Sequence, residues 1–344
     1  MPAPISDLLP LDRLTPYLEA NLPGFDGLIE AKKFEGGQSN PTFLLVTPGK
    51  SYVLRRKPSG MLLKSAHAVD REYRVQRALI GSDVPVADML LLCEDDTVIG
   101  AAFYVMEHVE GRIFFDPRLP DQTNDERRAM VDEMNRVLAA LHSVDVDAVG
   151  LSDYGPPGNY FERQVGRWSK QYRASETDSI ADMDNLIDAL NARMPEDDGQ
   201  RTLVHGDYRI DNMIFAPDSA DCLAVLDWEL STIGHPYADL AAVIMQWQMP
   251  TGSEGRGLAG VDRAALGLPG DGQFIKSYCE RRGIAAIPDF GFYLAFNFFR
   301  MGAILQGVKK RALDGNASDP ERGLRMGAYV AAFAGGGLKA LNHG

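Results

Sequence analysis

The stretch Leu203–Glu229, LVHGDYRIDNMIFAPDSADCLAVLDWE, decides how the rest of the chain is read. Leu203 and Val204 lead out of an apolar core. His205, Gly206 and Asp207 follow, and Asn212 stands five positions after Asp207. Met213, Ile214 and Phe215 form an apolar triplet, and Ala216 to Asp221 is rich in turn formers. A second apolar run, Cys222 to Leu226, ends on Asp227, Trp228 and Glu229. Two β-rich runs joined by a turn predict a strand pair. That pair could bring three oxygen-bearing side chains, Asp207, Asn212 and Asp227, to one place.

Phosphoryl transfer from ATP asks for such a set. The protein's work there is positioning and charge control. One carboxylate orients the attacking hydroxyl and takes its proton. An amide and a second carboxylate suit Mg²⁺, a hard ion that takes oxygen ligands. The protein-kinase pattern places a catalytic Asp, an Asn five residues on, and a second Asp after a further strand. Asp207, Asn212 and Asp227 reproduce that order, the last twenty positions after the first.

HGDxxxxN followed by an apolar strand and D-W-E resembles the aminoglycoside phosphotransferase and choline kinase superfamily. The longer wording, HGDYRIDNMIF and then VLDWELSTIGHPYADLA, is similar to the branch fused to, or encoded beside, acyl-CoA dehydrogenases. The resemblance runs from about Phe34 onward. It implies an α+β, bilobal, protein-kinase-like fold. Residues 1–109 are expected to form a small, sheet-rich, nucleotide-binding N-lobe with a helical lead-in. Residues 110–344 are expected to form a larger, mainly helical lobe for catalysis and acceptor binding. ATP and Mg²⁺ are the implied cofactors, with Asp207 as base and Asn212 and Asp227 as metal ligands. A small-molecule hydroxyl is the implied acceptor, and an acyl-CoA dehydrogenase is an implied functional link. Hydroxyacyl-CoA is the acceptor this branch suggests; aminoglycosides and amino alcohols stay open, because the catalytic residues read ATP and not the acceptor.

Singly, His-Gly-Asp is an ordinary turn and Asp-Trp an ordinary strand end; only the ordered set carries the reading. Two rival readings fit parts of the motif. A non-catalytic nucleotide-binding scaffold would keep the pocket without turnover. A metal hydrolase on His205, Asp207, Asp227 and His235 lacks ligand spacing between its histidines.

Composition narrows the partners. At 344 residues the chain is long enough for two domains. An apolar share of 45% and a charged share of 24% are ordinary for a soluble globular protein. The net charge of −13 argues against nucleic acid and anionic membrane. Cys93, Cys222 and Cys279 have no metal spacing, which predicts buried free thiols in a reducing, cytoplasmic setting. No basic-then-apolar leader opens the sequence. The longest apolar stretches, such as Leu240 to Trp247, are too short to span a bilayer.

Upstream, residues 2 to 30 read as a helical lead-in, with Leu11, Leu14, Tyr17 and Leu18 at helical spacing. Gly36, Gly37, Gln38, Ser39 and Asn40 form a turn between two strand-like runs. It is either a plain hairpin turn or a loop whose N–H groups approach phosphate. The strand Ser51 to Arg56 aligns Arg55 with the phosphate-binding lysine of kinases. This is a departure, since Arg and Lys are not interchangeable. Alternation forbids Arg55 and Arg56 from pointing the same way. A helix over 68–79 offers Glu72 as the partner of Arg55. Glu94-Asp95-Asp96 reads as an acidic turn. The strand Phe103 to Val109 would carry the adenine contacts: Met106 behind the base, Glu107 through its carbonyl, Val109 through its N–H.

Downstream, Thr123-x-x-Glu126 is a capping box, opening an amphipathic helix to about His142, where a histidine suits the helix dipole. Helices are predicted over 160–175, 178–193, 237–247, 274–282 and 290–315, and the Gly-rich residues 251–272 as a mobile connection. Asp239 is implied by the family to brace the catalytic loop. Glu229 either supports the metal or caps a turn. Arg300 either pairs with a carboxylate or holds an acidic acceptor.

Overall fold

The computed structural model describes residues 8–34, 40–58, 68–317 and 319–343. In chain order the chain forms α1 (Leu11–Asn21), β1 (Glu30–Lys33), β2 (Thr42–Val46), β3 (Ser51–Arg56) and α2 (Val69–Leu79). Then come β4 (Met89–Cys93), α3 (Asp96–Ile99), β5 (Phe103–Glu107), α4 (Asn124–Leu141), α5 (Tyr160–Ser175) and α6 (Ala181–Ala192). Four short strands follow: β6 (Thr202–Val204), β7 (Met213–Phe215), β8 (Cys222–Val225) and β9 (Thr232–Gly234). The chain closes with α7 (Pro236–Trp247), α8 (Asp271–Arg282), α9 (Phe290–Leu313), α10 (Pro320–Gly327) and α11 (Val330–His343). It divides into two compact units.

The first unit holds residues up to Phe114, Asp147–Leu151 and Ile210–Ser231. Its described residues form an antiparallel five-stranded sheet, ordered β1-β2-β3-β5-β4. Alternation along β3 sorts side chains to two faces. Tyr52 and Leu54 pack with Phe43, Phe103, Val105 and with Leu14 and Leu18 of α1. Val53 packs with Tyr104, Met106, Met89 and with Val69 of α2. The lead-in helix therefore covers one face and α2 lies against the other. The same unit carries the β7–β8 hairpin, paired Met213↔Val225 and Ile214↔Ala224.

The second unit holds Phe115–Val146, Ser152–Arg209 and Thr232–Gly344. It is mostly helical, with β6 and β9 paired antiparallel. Its spine is α9, buried along nearly every face from Gly291 to Gly307, as expected of an interior helix rather than an amphipathic one. Phe161 of α5 meets Phe292, Tyr293, Phe296 and His235, ring centroids 5.0–5.5 Å apart. The capping box on α4 forms as the sequence predicts, with Thr123 and Glu126 satisfying each other's backbone N–H.

Three differences from the sequence reading are local. The acidic turn gives a one-turn helix, α3, because the Asp95 side chain accepts the Thr97 N–H. The Gly-rich segment is tied down: Leu258 and Ala259 N–H donate to the Trp247 and Met249 carbonyls at 2.9 and 3.0 Å. Glycine is needed there, since a Cβ on Gly257 would sit 1.9 Å from the Met249 carbonyl oxygen. Finally, β9 and its pairing with β6 had no sequence signal beyond three residues. All three cysteines are buried and unbridged. Among the described residues no helix is long and apolar enough to cross a membrane.

Candidate active site

In the second unit, β6 ends at Val204 and delivers His205, Gly206 and Asp207 into a tight loop. Gly206 has φ +83°, a left-handed backbone that glycine adopts without cost. The loop is clamped from below by Asp239 in the first turn of α7. Its carboxylate accepts the His205 N–H at 2.6 Å and the Gly206 N–H at 2.9 Å. Arg300 of α9 donates to the Gly206 carbonyl at 3.0 Å. Tyr208 donates its hydroxyl to the Met134 carbonyl at 2.8 Å. Asp207 itself stays partly exposed. Its N–H donates to His205 Nδ1 at 3.2 Å, and Arg209 Nε lies 3.5 Å from its carboxylate.

Asp239 is 2% exposed. Burial would lift its carboxyl, but His142, His205 and the His205 N–H outweigh this and hold it below its ordinary range. Replacing Asp239 with Ala strands the buried His205 N–H, the part-buried Gly206 N–H and the histidine. The expected loss is about 3 kcal/mol of unfolding free energy, read by urea denaturation. A loss under about 1 kcal/mol, on the same scale, would show that the clamp does not hold the loop.

His142 does not serve the helix dipole as the sequence suggested. It is fully buried, with Nδ1 2.7 Å from the Tyr278 hydroxyl and Nε2 3.5 Å from Asp239. Burial lowers its pKa, Asp239 only partly offsetting this, so the native imidazole is neutral. The folded pKa lies below the unfolded one, so its contribution to stability is present above about pH 6.5 and is lost as pH falls through the folded value. The melting-temperature gap between the native protein and a His142→Gln variant should therefore narrow from pH 7.5 to pH 5.5. A gap that stays constant or widens would show that His142 is not neutral in the fold.

In the first unit, Arg55 is the centre of an acidic cluster. Its Nε lies 2.8 Å from Glu72 Oε2, close but not aligned as a hydrogen bond. Its Nη2 lies 2.9 Å from Asp227 Oδ1 and 3.4 Å from Glu229 Oε2. Burial pushes the guanidinium pKa down, but Glu72, Asp227 and Glu229 reverse this and raise it. Glu72 shares that one cation with two other carboxylates, so burial still raises its own carboxyl. Glu72 is steadied by the Asn40 amide at 2.6 Å and the Tyr104 hydroxyl at 3.1 Å. Arg56 points to the opposite face and donates to the Leu8 carbonyl at 2.5 Å. Lys57 lies 3.6 Å from Asp70. Of the three neighbouring cations, Arg55 alone faces the Glu72 cluster.

The hairpin places Asn212 beside Asp227. Asn212 ends a 3₁₀ turn, Ile210–Asn212, and its carbonyl accepts the Leu226 N–H at 2.8 Å. Asp227 follows at φ +65°, ψ +56°. Such a left-handed backbone is uncommon outside glycine, and Asp tolerates it better than most. Trp228, fully buried, donates Nε1–H to the Val225 carbonyl at 2.9 Å and seats the turn. Arg112 pins the far end of the hairpin by donating to the Ala216 and Ser219 carbonyls. Asn212 and Asp227 offer oxygen donors only, which fits a hard cation that keeps several waters. His205 accepts the Asp207 N–H at 3.2 Å, and His235 Nε2 lies 3.3 Å from Asp198.

Of the other expected positions, Met106 is buried in β5 opposite Val53 and Met89. Glu107 is exposed, its N–H donating to the Asp88 carbonyl, and Val109 packs on the Val53–Met106 cluster. Gly36, Gly37, Gln38 and Ser39 lie outside the described residues. Asn40 is fully buried and acts through its side chain, on Glu72, rather than as one more turn residue. Sequence reasoning missed the Asn40 and Tyr104 contacts and the second and third carboxylates on Arg55. The pairing Arg55↔Tyr104 across β3 and β5 is the signal that places Tyr104 there.

The sequence model of the Phosphotransferase enzyme family matches residues 30–272. The chain belongs to this family. A crystal structure of a "putative aminoglycoside phosphotransferase" from Ralstonia eutropha JMP134 is 49% identical, with a TM-score of 0.88 over 96% of this chain and 98% of that one. A thermostable mutant of aminoglycoside phosphotransferase APH(4)-Ia, solved with AMP-PNP and hygromycin B, has a TM-score of 0.63 at 16% identity, covering 96% of this chain and 99% of its own. That second likeness is one of fold. Acyl-CoA dehydrogenase family member 10 of Mus musculus is 46% identical over 312 residues, which are 90% of this chain and 29% of the mouse protein. The chain thus spans less than half the length of the curated relatives it matches. As a member of this family it has the α+β, protein-kinase-like fold expected from the sequence, and it is a relative of small-molecule phosphotransferases.

Proposed function

We propose that this family member transfers the γ-phosphoryl group of ATP, with magnesium, to a hydroxyl of a small molecule. The observation that carries the reading is Arg55, held on β3 against Glu72 of α2 and also 2.9 Å from Asp227. A β3 cation paired with a helix glutamate is the arrangement that kinases use for the α/β-phosphates.

In this reading Asp207 accepts the hydroxyl proton as the oxygen attacks the γ-phosphorus. The bond to the β-phosphate oxygen breaks, and ADP leaves with that electron pair. The carboxylate is partly exposed, while its backbone is fixed by His205 and the Asp239 clamp on the preceding residues. Asn212 and Asp227 would hold magnesium, which when bound neutralises charge on the phosphates. Arg55 binds phosphate oxygens through its forked N–H groups. The strand end from Met106 to Val109 receives the adenine. Residues 1–109 are the nucleotide-binding part in this reading and 110–344 the catalytic and acceptor-binding part. The relatives named for acyl-CoA dehydrogenases support a hydroxyacyl-CoA, or a related cytoplasmic metabolite, as acceptor and a functional link to such an enzyme.

The test is magnesium-dependent ATP consumption against hydroxyacyl-CoAs, amino sugars and amino alcohols, with Asp207→Asn in parallel. Acceptor-dependent turnover lost in the variant is the expected result. Failure to bind ATP at all would overturn the proposal.

A further inference from the structure

A cationic platform adjoins the His205–Asp207 loop in the second unit through Arg300, and the roles above give none to its exposed part. The chain as a whole carries a net charge of −13, yet α5 runs the other way. It bears Arg163, Arg167, Lys170 and Arg173 against Glu162 alone. Arg173 is committed to Glu176 and Asp184. Arg163 is committed to the Pro157 and Gly158 carbonyls.

Arg167 is different. It is exposed, and its contact is with the indole of Trp168, guanidinium carbon 5.4 Å from the ring centroid. The same indole meets Arg300, at 5.9 Å. Trp168 is itself oriented by donating Nε1–H to Gln164 at 3.1 Å. Arg300 in turn holds the carbonyl of Gly206, the residue before Asp207. An unbroken set of contacts thus runs from Arg167 through Trp168 and Arg300 to the loop that presents Asp207. The hydroxyl of nearby Tyr160 is raised by burial; Arg300, Arg163 and Arg167 pull it the other way and Asp239 adds to the rise, so the fields of the three cations reach it against one carboxylate.

A guanidinium attracted to an aromatic face through the ring's quadrupole keeps its N–H groups available to a carboxylate or phosphate. It also repels a cationic acceptor brought to the same place. We infer that Arg167, held over Trp168, reads the acceptor, and that the acceptor carries an anionic group, a carboxylate or a phosphate. The inference rests on the phosphotransferase reading and selects within it. Arg167 binds the anion directly. Arg300 is a positioning residue, because it also sets the Gly206 carbonyl.

The test is calorimetric binding to protein saturated with AMP-PNP and magnesium. The probes are 3-hydroxybutyrate, 3-hydroxybutyryl-CoA, the uncharged N-acetylcysteamine thioester of the same hydroxy acid, and cationic hygromycin B. At least one anionic probe should bind more tightly than the thioester and hygromycin B. Arg167→Ala should weaken it about tenfold, the scale of one charge-assisted hydrogen bond. Arg167→Lys should recover part of that loss. Lys170→Ala, which removes an exposed charge outside the stack, should stay within about twofold, as a screened surface charge does. A loss confined to the CoA thioester assigns a phosphate; a loss on the free acid assigns a carboxylate. Equal binding by native protein and Arg167→Ala, tighter binding of hygromycin B, or no bound anionic probe would overturn the inference. The AMP-PNP titration separates the two readings. If AMP-PNP does not bind, the phosphotransferase reading falls and this one with it. If it binds and the anion result fails, only the platform falls.

Discussion

Asp207→Asn is expected to lower kcat by about 10²–10⁴, the usual contribution of a general base, with ATP affinity unchanged. The substitution preserves size and shape, so the loop should survive it. The backbone around Asp207 is held independently of its carboxylate, by Asp239 on the His205 and Gly206 N–H groups and by Arg300 on the Gly206 carbonyl. What the amide cannot do is accept a proton. Steady-state kinetics on the acceptor found in the panel, with AMP-PNP binding alongside, gives both quantities. A variant that keeps full rate would remove Asp207 from the role of base.

Asp227→Ala is expected to bring turnover below detection and to abolish its dependence on magnesium. Two effects need separating. Alanine at φ +65° is strained by about 1–2 kcal/mol, and Arg55 loses one of its three carboxylates. Asp227→Asn is the control, because asparagine tolerates that backbone. It should melt close to the native protein and still fail to turn over. Glu72 and Glu229 remain to hold Arg55 in both variants. Magnesium dependence that persists unchanged in Asp227→Asn would take this carboxylate out of the metal site.

The parts of the site that could be read in the sequence are those whose partners lie close along the chain. The β7–β8 hairpin, the order Asp207, Asn212, Asp227 and the Thr123–Glu126 capping box are local patterns, and local patterns carry their own geometry. The Arg55–Glu72 pair was accessible because the kinase pattern pairs a β3 cation with a helix glutamate, and alternation along β3 keeps Arg55 and Arg56 apart. The contacts that escaped are long-range and polar. Arg55 meets Asp227 and Glu229 across more than 170 positions, and Asn40 reaches Glu72 across 32. No periodicity announces such meetings. Arg300 shows the same limit: the sequence offered it an acid or an anion, and the fold gave it a carbonyl and an indole. His142 was placed correctly at a helix end, but only its burial shows that it is neutral there.

The two-faced packing of β3 has a consequence for error correction. In a strand buried on one face only, a slip of one residue exposes the core and is punished once. Here both faces are filled by different apolar sets, Tyr52 and Leu54 with α1 on one side, Val53 with α2 on the other. A one-residue slip would exchange them and at the same step trade Arg55 for Arg56 beneath Glu72. The misregistered protein would lose its hydrophobic fit and the Arg55–Glu72–Asp227 cluster together. A chain that assembles this sheet stably has thereby already set Arg55, and not Arg56, against Glu72, so the fidelity of folding doubles as quality control on the ion cluster.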